Sequence, residues 1–452
     1  MINTLYLPEL REMLELNDVD GLREFCTALH PARTAEFMEG LTAAETWTVL
    51  QAADPPTRVE LFGYIDRQKQ IEIIETCDPE SISPLVADMP ADDRVDLLNA
   101  VDEDVARNLL PLVPAETRRD ILRLQAYPEG TAGSVMTTEV CRLPEALTVR
   151  AALDQLSRIA EHFETIYYIY IVDDNNHLRG AVSARQLVTH LNKPNMPITE
   201  LMERNLVTVE ATDDQEAVAR KVADYDFLAI PVVDHENHLV GVITHDDVID
   251  VLQQEATEDA YLAGAVGPLE EGYLSVPWFE FTRHRAPWLA ILFGGAIMTI
   301  LALKSYHETI DQVAWLVLFL PLIVSCGGNS GSQSATLIIR ALTTKEITPA
   351  AWWAVVWREL LIGGALGLFL GAIGYIIGCF VAPSLTAALI IPITLVLVVM
   401  SGTMVGSLLP LLFARLGWDP ALMSAPFVTV IVDIVGIVVY MNVALLMLKE
   451  LA

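Results

Sequence analysis

The sequence predicts a multidomain protein: an all-α helical array at 1–130, a tandem pair of small α/β domains at 131–254, an acidic connecting helix at 255–280 and a five-helix transmembrane domain at 281–452. Three observations carry this prediction. The first is a split in charge. The 452-residue chain has a net charge of −31 and is 53% hydrophobic, yet residues 1–280 hold 20 Lys+Arg against 52 Asp+Glu, whereas 281–452 hold 8 against 7. An acidic, water-compatible front is joined to a nearly neutral, apolar back. The second and third are two internal repeats, one helical and one of mixed pattern, that subdivide the front.

The helical repeat pairs PADDRVDLL at 90–98 with PAETRRDIL at 114–122. Each copy opens with Pro and acidic residues, which suit a first helical turn, and continues with Arg and an apolar pair. The offset of 24 residues suggests stacked helices. The mixed repeat aligns YYIYIVDDNNHLRGAVSARQL at 167–187 with FLAIPVVDHENHLVGVITHDDV at 227–248, placing Asp173 against Asp234 and Gly180 against Gly241. Each copy reads strand, Asp-rich turn, strand and helix start, with a helical stretch before it at 148–162 and 213–224. The two copies divide the region at about 136–200 and 201–254. In the connecting segment, Glu255 and Asp259 share one helix face and Glu258 lies beside them. Gly267, Pro268, Gly272 and Pro277 mark the end of that helix.

The back half meets the length requirement for membrane crossing, about 20 apolar residues per helix. Residues 360–414 contain no Asp, Glu, Lys or Arg. Five spans are expected, at 287–304, 313–340, 352–380, 386–413 and 421–448, the second of them broken. The N-terminus lacks the cationic start and apolar core of a signal peptide, so the front is expected in the cytosol. Arg283, Arg285, Arg340, Lys345 and Arg415 then fall on the cytosolic side and the C-terminus outside, with Lys304 against the rule. The five cysteines (26, 77, 141, 326 and 379) include no CxxC pair, which excludes a thiolate zinc cluster. The acidic front repels nucleic acid and favours cations. No GxSxG, HExxH, Walker or Rossmann pattern is present, so an enzyme is not expected.

Two stretches carry the chemistry. VTVIVDIVGIVVYM, at 428–441, places Asp433 in the middle of the last span. A carboxylate at a helix centre costs about 2.5–3.5 kcal/mol on insertion scales, so it faces a cavity, a partner or an ion. Thr429, Asp433, Gly436 and Tyr440 form one stripe of that helix. The structural alternatives are a hydroxyl cap or a paired cation, but no Lys or Arg lies at that depth. In the second span, PLIVSCGGNSGSQSATLIIRAL at 321–342, the apolar run is interrupted by Pro321, Gly327, Gly328 and Gly331, with Ser325, Asn329, Ser330, Ser332 and Gln333 among them. Irregular backbone at membrane depth lines water or an ion site; a packing kink is the alternative, against which Asn329 and Gln333 argue. Gly363, Gly367, Gly371, Gly374 and Gly378 of the third span are expected to pack helices.

The mixed repeat resembles the CBS domain, which occurs as a tandem regulatory pair. PLIVSCGGNSGSQ resembles the PxxxGGNxGxQ signature of the MgtE magnesium channels, and ETIYYIYIVDD, QSATLIIRAL and the order of domains also look family-like over essentially the whole chain. The resemblance implies a homodimer in the cell inner membrane, in contact with lipid, whose pore lies between the second and fifth spans of both subunits. Asp433 would hold hydrated Mg²⁺ there, with Pro321, Gly327, Gly328, Asn329, Gly331, Gln333 and Thr429 lining the path. Mg²⁺ gives up water reluctantly, so a few oxygen acceptors for its water shell fit better than a tight cage. It further implies regulatory Mg²⁺ bridging Asp92, Asp96, Asp214, Asp226, Asp247, Asp250, Glu255, Glu258 and Asp259, closing the pore when cytosolic Mg²⁺ is high. CBS pairs also bind adenine nucleotides such as ATP, for which Tyr170, Phe227 and Pro231 could hold a base. The expected Thr244–Asp247 end is present in the second copy, but Gln186 replaces the ribose-holding Asp in the first. Ala425 stands where some members place an Asn that helps gate. A secondary transporter coupling a divalent cation to H⁺ or Na⁺ through Asp433 stays open at this point, as does the choice among Mg²⁺, Mn²⁺ and Co²⁺.

Overall fold

The computed structural model describes residues 5–160, 163, 165–267, 276–307, 310, 313–422 and 425–451. The chain divides into two compact units, Met1–Gln253 and Gln254–Ala452. Pro268 and Gly272, two of the expected helix-end residues, lie outside the described residues.

The first unit opens with ten helices: α1 Leu7–Leu16, α2 Val19–Ala28, α3 Pro31–Met38, α4 Ala43–Ala52, α5 Pro55–Gly63, α6 Arg67–Thr76, α7 Pro79–Asp88, α8 Ala91–Ala100, α9 Glu103–Leu109 and α10 Ala115–Leu124. Their first residues are spaced by 12 throughout, so the 24-residue repeat in the sequence is two steps of a finer period. The period is punctuated by helix caps. The side chains of Asp18, Asp54, Asp66, Asp78 and Asp102 each accept a first-turn N–H, and Thr42 forms a capping box with Glu45. Alternate helices pack on one another, α2 to α4 to α6 to α8 to α10 in one row and α3 to α5 to α7 to α9 in the other. At three steps the fourth helical residue ties a helix to the one before it. Arg58 Nε donates to the Leu50 carbonyl at 3.0 Å, Gln70 Nε2 to Phe62 at 2.7 Å and Arg94 Nε to Val86 at 2.8 Å. These bonds satisfy carbonyls orphaned at the end of the preceding helix, which is why Arg94 can be buried.

The tandem α/β pair follows as two three-stranded sheets. In the first, β1 (Val140–Pro144) runs parallel to β2 (Thr165–Val172), which is antiparallel to β3 (Leu178–Ser183). In the second, β4 (Val209–Glu210), β5 (Ala229–Val233) and β6 (Leu239–Thr244) repeat that order. Helices α11 (Val149–Ile159), α12 (Ala184–Thr189), α13 (Gln215–Asp224) and α14 (His245–Ala263) complete the copies. The repeated turn has a clear cause. Asp173 accepts from the Asn175 and His177 N–H groups at 2.9 and 3.0 Å, and Asp234 accepts likewise from Glu236 and His238 at 2.9 Å each. Asn176 and Asn237 take the left-handed conformation (φ 66° and 64°) that Asn tolerates. The turns then clasp each other: Leu178 N–H donates to the Asn237 carbonyl at 3.0 Å, Leu239 N–H to Asn176 at 3.1 Å, and the His177 and His238 rings stack at 4.4 Å.

The second unit contains the five helices long and apolar enough to cross a membrane among the described residues. They are α15 (Trp278–Lys304), α16 (Leu320–Thr343), α17 (Trp352–Val381), α19 (Ile390–Leu416) and α20 (Ala425–Leu451), with short α18 (Leu385–Ala388) leading into α19. Helix α16 corrects an expectation: it runs unbroken through the GGNSGS stretch after a 3-10 turn at Ala314–Phe319. The glycines are there for close approach. A Cβ built on Gly402 of α19 would lie 2.5 Å from the Gly327 carbonyl oxygen, and one on Gly406 would strike that of Gly331. The glycines of α17 pack as expected, with Gly367 against the Val396 backbone. Tyr440 departs from the expected polar stripe: it is fully buried and donates its hydroxyl to the Leu316 carbonyl at 2.9 Å.

Candidate functional site

Asp433 sits on α20 where that helix packs against α16. Gly328 makes the room: a Cβ there would lie 2.8 Å from Thr429 Cγ2 and 3.4 Å from Asp433 Oδ1. That carboxylate oxygen is buried and accepts no hydrogen bond among the described residues, so neither a hydroxyl cap nor a cation satisfies it. The nearby hydroxyls are engaged with one another instead. Ser332 Oγ lies 3.0 Å from Thr429 Oγ1 and 3.2 Å from the Ala425 carbonyl, and Thr429 Oγ1 donates to that same carbonyl at 2.9 Å.

The sequence-predicted lining residues divide between two faces of α16. Gly327 and Gly331, with Ser330 and Ser334, are buried, and the two glycines meet α19. Pro321, Ser325, Asn329, Gln333 and Thr336 are exposed along a different stripe, with Asn329 Nδ2 donating to Ser325 Oγ at 3.4 Å. One intramembrane carboxylate escaped the sequence reading. Glu359 of α17 is buried, accepts from Ser334 Oγ at 2.7 Å, and its carbonyl accepts from Thr403 Oγ1 at 3.3 Å. Its signal was a lone acid about two turns inside an apolar run, masked by Arg358 beside it.

A second concentration of carboxylates lies in the first unit. Helix α8 supplies Asp92, Asp93 and Asp96, and the start of α14 supplies Asp246, Asp247 and Asp250. Asp247 accepts from Thr244 Oγ1 at 2.6 Å, which caps α14, and shares a side-chain hydrogen bond with Asp92. Burial pushes Asp247 up to about 6, helped by the Asp246 charge. Asp96, on the exposed side of α8, is pushed up to about 6 by partial desolvation, against the pull of Arg67 and with the push of Asp93 and Asp247. Asp93, likewise exposed, is raised by partial desolvation and by Asp250 and Asp246, and Asp250 by partial desolvation and Asp246. On its other side α8 is tied to the linker by Arg94, 3.6 Å from Glu139.

Of the predicted regulatory residues, Asp92, Asp96, Asp247 and Asp250 therefore come together, joined by Asp93, Asp246 and Arg67, which the sequence reading missed. The adjacent pairs at 92–93 and 246–247 were the signal. Asp214 serves instead as the N-cap of α13, accepting from Ala217 N–H at 3.0 Å, and Asp226 is an exposed turn residue with φ 55°. Glu255 and Asp259 are half-buried farther along α14 and Glu258 is exposed. Among the described residues, no three of these side chains are arranged to close around one metal ion.

The predicted base-holding residues are corrected in part. Tyr170 is 3% exposed, in the core shared by the two sheets, and Pro231 is buried in β5, so neither offers an open face. Phe227 is half-buried and stacks on Tyr225 at 5.3 Å. Gln186 turns out to close a capping box, accepting from Ser183 N–H and Oγ at 2.8 and 3.0 Å, the counterpart of Asp247 with Thr244.

Five membrane-length helices with an unsatisfied carboxylate between two of them, preceded by a helical array and a tandem sensor fold, define an integral membrane protein built to handle cations. Comparison with known proteins agrees. A family described as a divalent cation transporter matches residues 320–443, the MgtE intracellular N domain matches 29–130, and CBS domains match 132–193 and 198–254. The chain is 38% identical over 327 residues to the magnesium transporter MgtE of Thermus thermophilus, covering 72% of each, and 32% identical over 329 residues to that of Enterococcus faecalis, covering 73% of this chain and 72% of the other. A crystal structure of the soluble part of a magnesium transporter is similar at TM-score 0.52 and 34% identity, over 55% of this chain and 97% of that one. The crystal structure of the cytosolic domain of the Mg²⁺ channel MgtE in complex with ATP is similar at TM-score 0.50 and 36% identity, over 54% and 98%. The chain belongs to the MgtE family of magnesium transporters.

Proposed function

We propose that this protein is a Mg²⁺ channel that works as a homodimer in the cell membrane and is held shut by Mg²⁺ on its cytosolic face. The observation that carries the reading is Asp433: a carboxylate within an apolar helix, with one oxygen buried and accepting no hydrogen bond among the described residues. Such a group is costly in a membrane unless an ion or water completes it. Asn329 and Gln333 support the same reading, because exposed amides at membrane depth cannot face lipid and suit a second copy of the chain around a wet path. Across a two-fold axis, two Asp433 carboxylates balance one divalent charge. The substrate keeps its water, and Asp433 accepts from the water shell rather than replacing it. The membrane potential supplies about 2.3 kcal/mol per charge per 100 mV, and twice that for a divalent ion.

The gate follows from the carboxylates of α8 and α14. Without a cation, Asp93 and Asp96 repel Asp246, Asp247 and Asp250. Cytosolic Mg²⁺, retaining water, bridges the two helices and selects the closed arrangement, while Asp214, Asp226, Glu255, Glu258 and Asp259 are further candidate carboxylates for regulatory Mg²⁺. Helix α14 continues without a break from His245 to Ala263, so charge at its start bears on the acids farther along. In this reading the front faces the cytosol, the C-terminus lies outside, and the protein is not an enzyme. ATP is a second ligand of the cytosolic domains by analogy with the relative whose cytosolic domain was crystallised with it.

Mg²⁺ flux into proteoliposomes under an imposed potential, for the native protein and Asp433→Ala, tests the pore. Flux without a second ion gradient, abolished in the variant, supports the channel. Flux that needs an H⁺ or Na⁺ gradient makes it a coupled transporter. Undiminished flux in the variant refutes the role of Asp433.

A further inference from the structure

We infer that the hydroxyls of Ser332 and Thr429 form an acceptor-only oxygen pair that takes hydrogen bonds from the water shell of the passing cation, beside Asp433. The inference rests on the channel reading and adds two specificity-determining residues to it.

The argument is one of hydrogen-bond direction. Thr429 Oγ1 is 2.9 Å from the Ala425 carbonyl, Ser332 Oγ is 3.2 Å from that carbonyl, and the two hydroxyls are 3.0 Å apart. Each hydroxyl has a single hydrogen, and a carbonyl can only accept. Either both hydrogens go to the carbonyl, or one goes to it and the other to the neighbouring hydroxyl. While these three contacts are kept, both hydrogens are consumed within the triangle. What remains for any third party is oxygen lone pairs. Ala425 contributes only a methyl group as side chain and cannot compete for them.

A hydrated cation presents only O–H donors on its outer surface, and an anion requires donors from the protein. An acceptor-only pair therefore admits the first and offers nothing to the second. The placement suits a shell rather than a bare ion. Thr429 and Asp433 are one turn apart on α20, about 5–6 Å between Cβ atoms. A cation holding water at about 2.1 Å has a shell broad enough to touch both. Gly328, whose missing Cβ would fall against Thr429 and Asp433, lets both side chains close on α16. The pair also draws one oxygen from α16 and one from α20, so it forms only while the two helices are in register.

The test uses full-length protein in proteoliposomes and two readouts: the half-saturating Mg²⁺ concentration for flux, and block by hexaamminecobalt(III), whose inert N–H shell copies bound water and cannot be shed. Ser332→Ala with Thr429→Val should raise both concentrations about tenfold. Thr429→Ser, which keeps the hydroxyl, should recover most of the effect of Thr429→Val. Ser330→Ala, which removes a buried hydroxyl elsewhere on α16, should change neither. Ser332→Ala alone, the smallest change, should give a partial shift even if the double variant folds poorly. If the hydroxyl variants leave both readouts unchanged while Asp433→Asn shifts them, the acceptor pair is wrong and the channel reading stands. If Asp433→Asn also changes nothing, the channel reading itself fails.

Discussion

Replacing Gly402 by alanine should force α16 and α19 apart. The new Cβ would lie 2.5 Å from the Gly327 carbonyl oxygen, 3.3 Å from its carbon and 3.4 Å from the Gly331 nitrogen. Ordinary contact begins at 3.4 Å, so the oxygen is too close by 0.9 Å. All three neighbours are backbone atoms, and no rotamer change can move them aside. Overpacking of this kind costs about 1–3 kcal/mol, and alanine recovers up to about 1 kcal/mol of helix propensity over glycine. A net loss of about 1–2 kcal/mol is expected, which for a unit of this size lowers the melting temperature by about 2–8 °C. Because Gly328 on the same helix sets the clearance of Asp433, Mg²⁺ flux should fall as well. Gly406→Ala should act in the same direction, through the Gly331 carbonyl. Gly364→Ala is the control: nothing lies within 4 Å of its would-be Cβ, so stability should hold or improve. Thermal unfolding in detergent and flux in proteoliposomes read the two effects. If Gly402→Ala melts and conducts like the native protein, the two helices are not in backbone contact, and the explanation of the GGNSG glycines is wrong.

Three other predictions follow from the same geometry. Glu359→Ala should destabilise the transmembrane unit by about 1–3 kcal/mol by stranding the buried Ser334 hydroxyl, whereas Glu359→Gln keeps an acceptor and should restore most of it, as read by thermal unfolding. Asp96 and Asp247 sit near 6 when folded, against an ordinary 3.8. The folded state therefore binds their protons more tightly, so their penalty is complete above about pH 6 and disappears as pH falls toward 4. Mg²⁺-free protein should melt higher at pH 5 than at pH 7 by an amount that Asp96→Asn with Asp247→Asn abolishes; an unchanged difference in the variant counts against the cluster. Full burial would make each shift worth about 3 kcal/mol, and partial exposure reduces it. On the proposed gating, Glu258→Ala with Asp259→Ala should leave flux running at cytosolic Mg²⁺ concentrations expected to shut the native protein, and normal closure would mark those acids as solvated surface.

Much of this architecture was legible in the residues, and the misreadings have physical causes. The five spans could be read because uninterrupted apolar length is a strong signal. The tandem sheets could be read because Asp173 and Asp234 build the same turn from the same donors. The helical array was seen at only half its true resolution. Its 12-residue period is written in caps, where Asp, Thr, His and Pro can substitute for one another, so few pairs of steps look alike. Helix α16 was misjudged because glycine between polar residues has two meanings, a break or a close approach. Only the position of Gly402 and Gly406 on another helix decides between them. Tyr440 was misplaced for a similar reason: spacing puts it on the Asp433 face, but its hydroxyl finds a carbonyl 124 positions away. Asp93 and Asp246 escaped because acids in a first turn usually serve the helix dipole, and their meeting depends on how α8 and α14 pack.

What separates the carboxylates that build this protein from those proposed to handle ions is the balance of donors against neighbouring charge. Asp173 is a building residue. Against the upward push of partial burial, hydrogen bonds from His177 and Asn175 and from the Arg179 guanidinium pull it down to about 2. Asp18, Asp54 and Asp78 are spent in the same way on helix N–H groups. Asp247 shows that donors alone do not decide the matter. It accepts from both the hydroxyl and the N–H of Thr244, yet it rises to about 6 because burial and Asp246 outweigh them. Asp433 is the limiting case, with a buried oxygen that accepts no hydrogen bond among the described residues. A carboxylate saturated by N–H groups has little left to offer a cation, whereas one short of donors or crowded by other acids lowers its own free energy by binding one. On that criterion Asp214, already an N-cap, is the weakest of the proposed regulatory ligands, and Asp92 with Asp247 is the strongest.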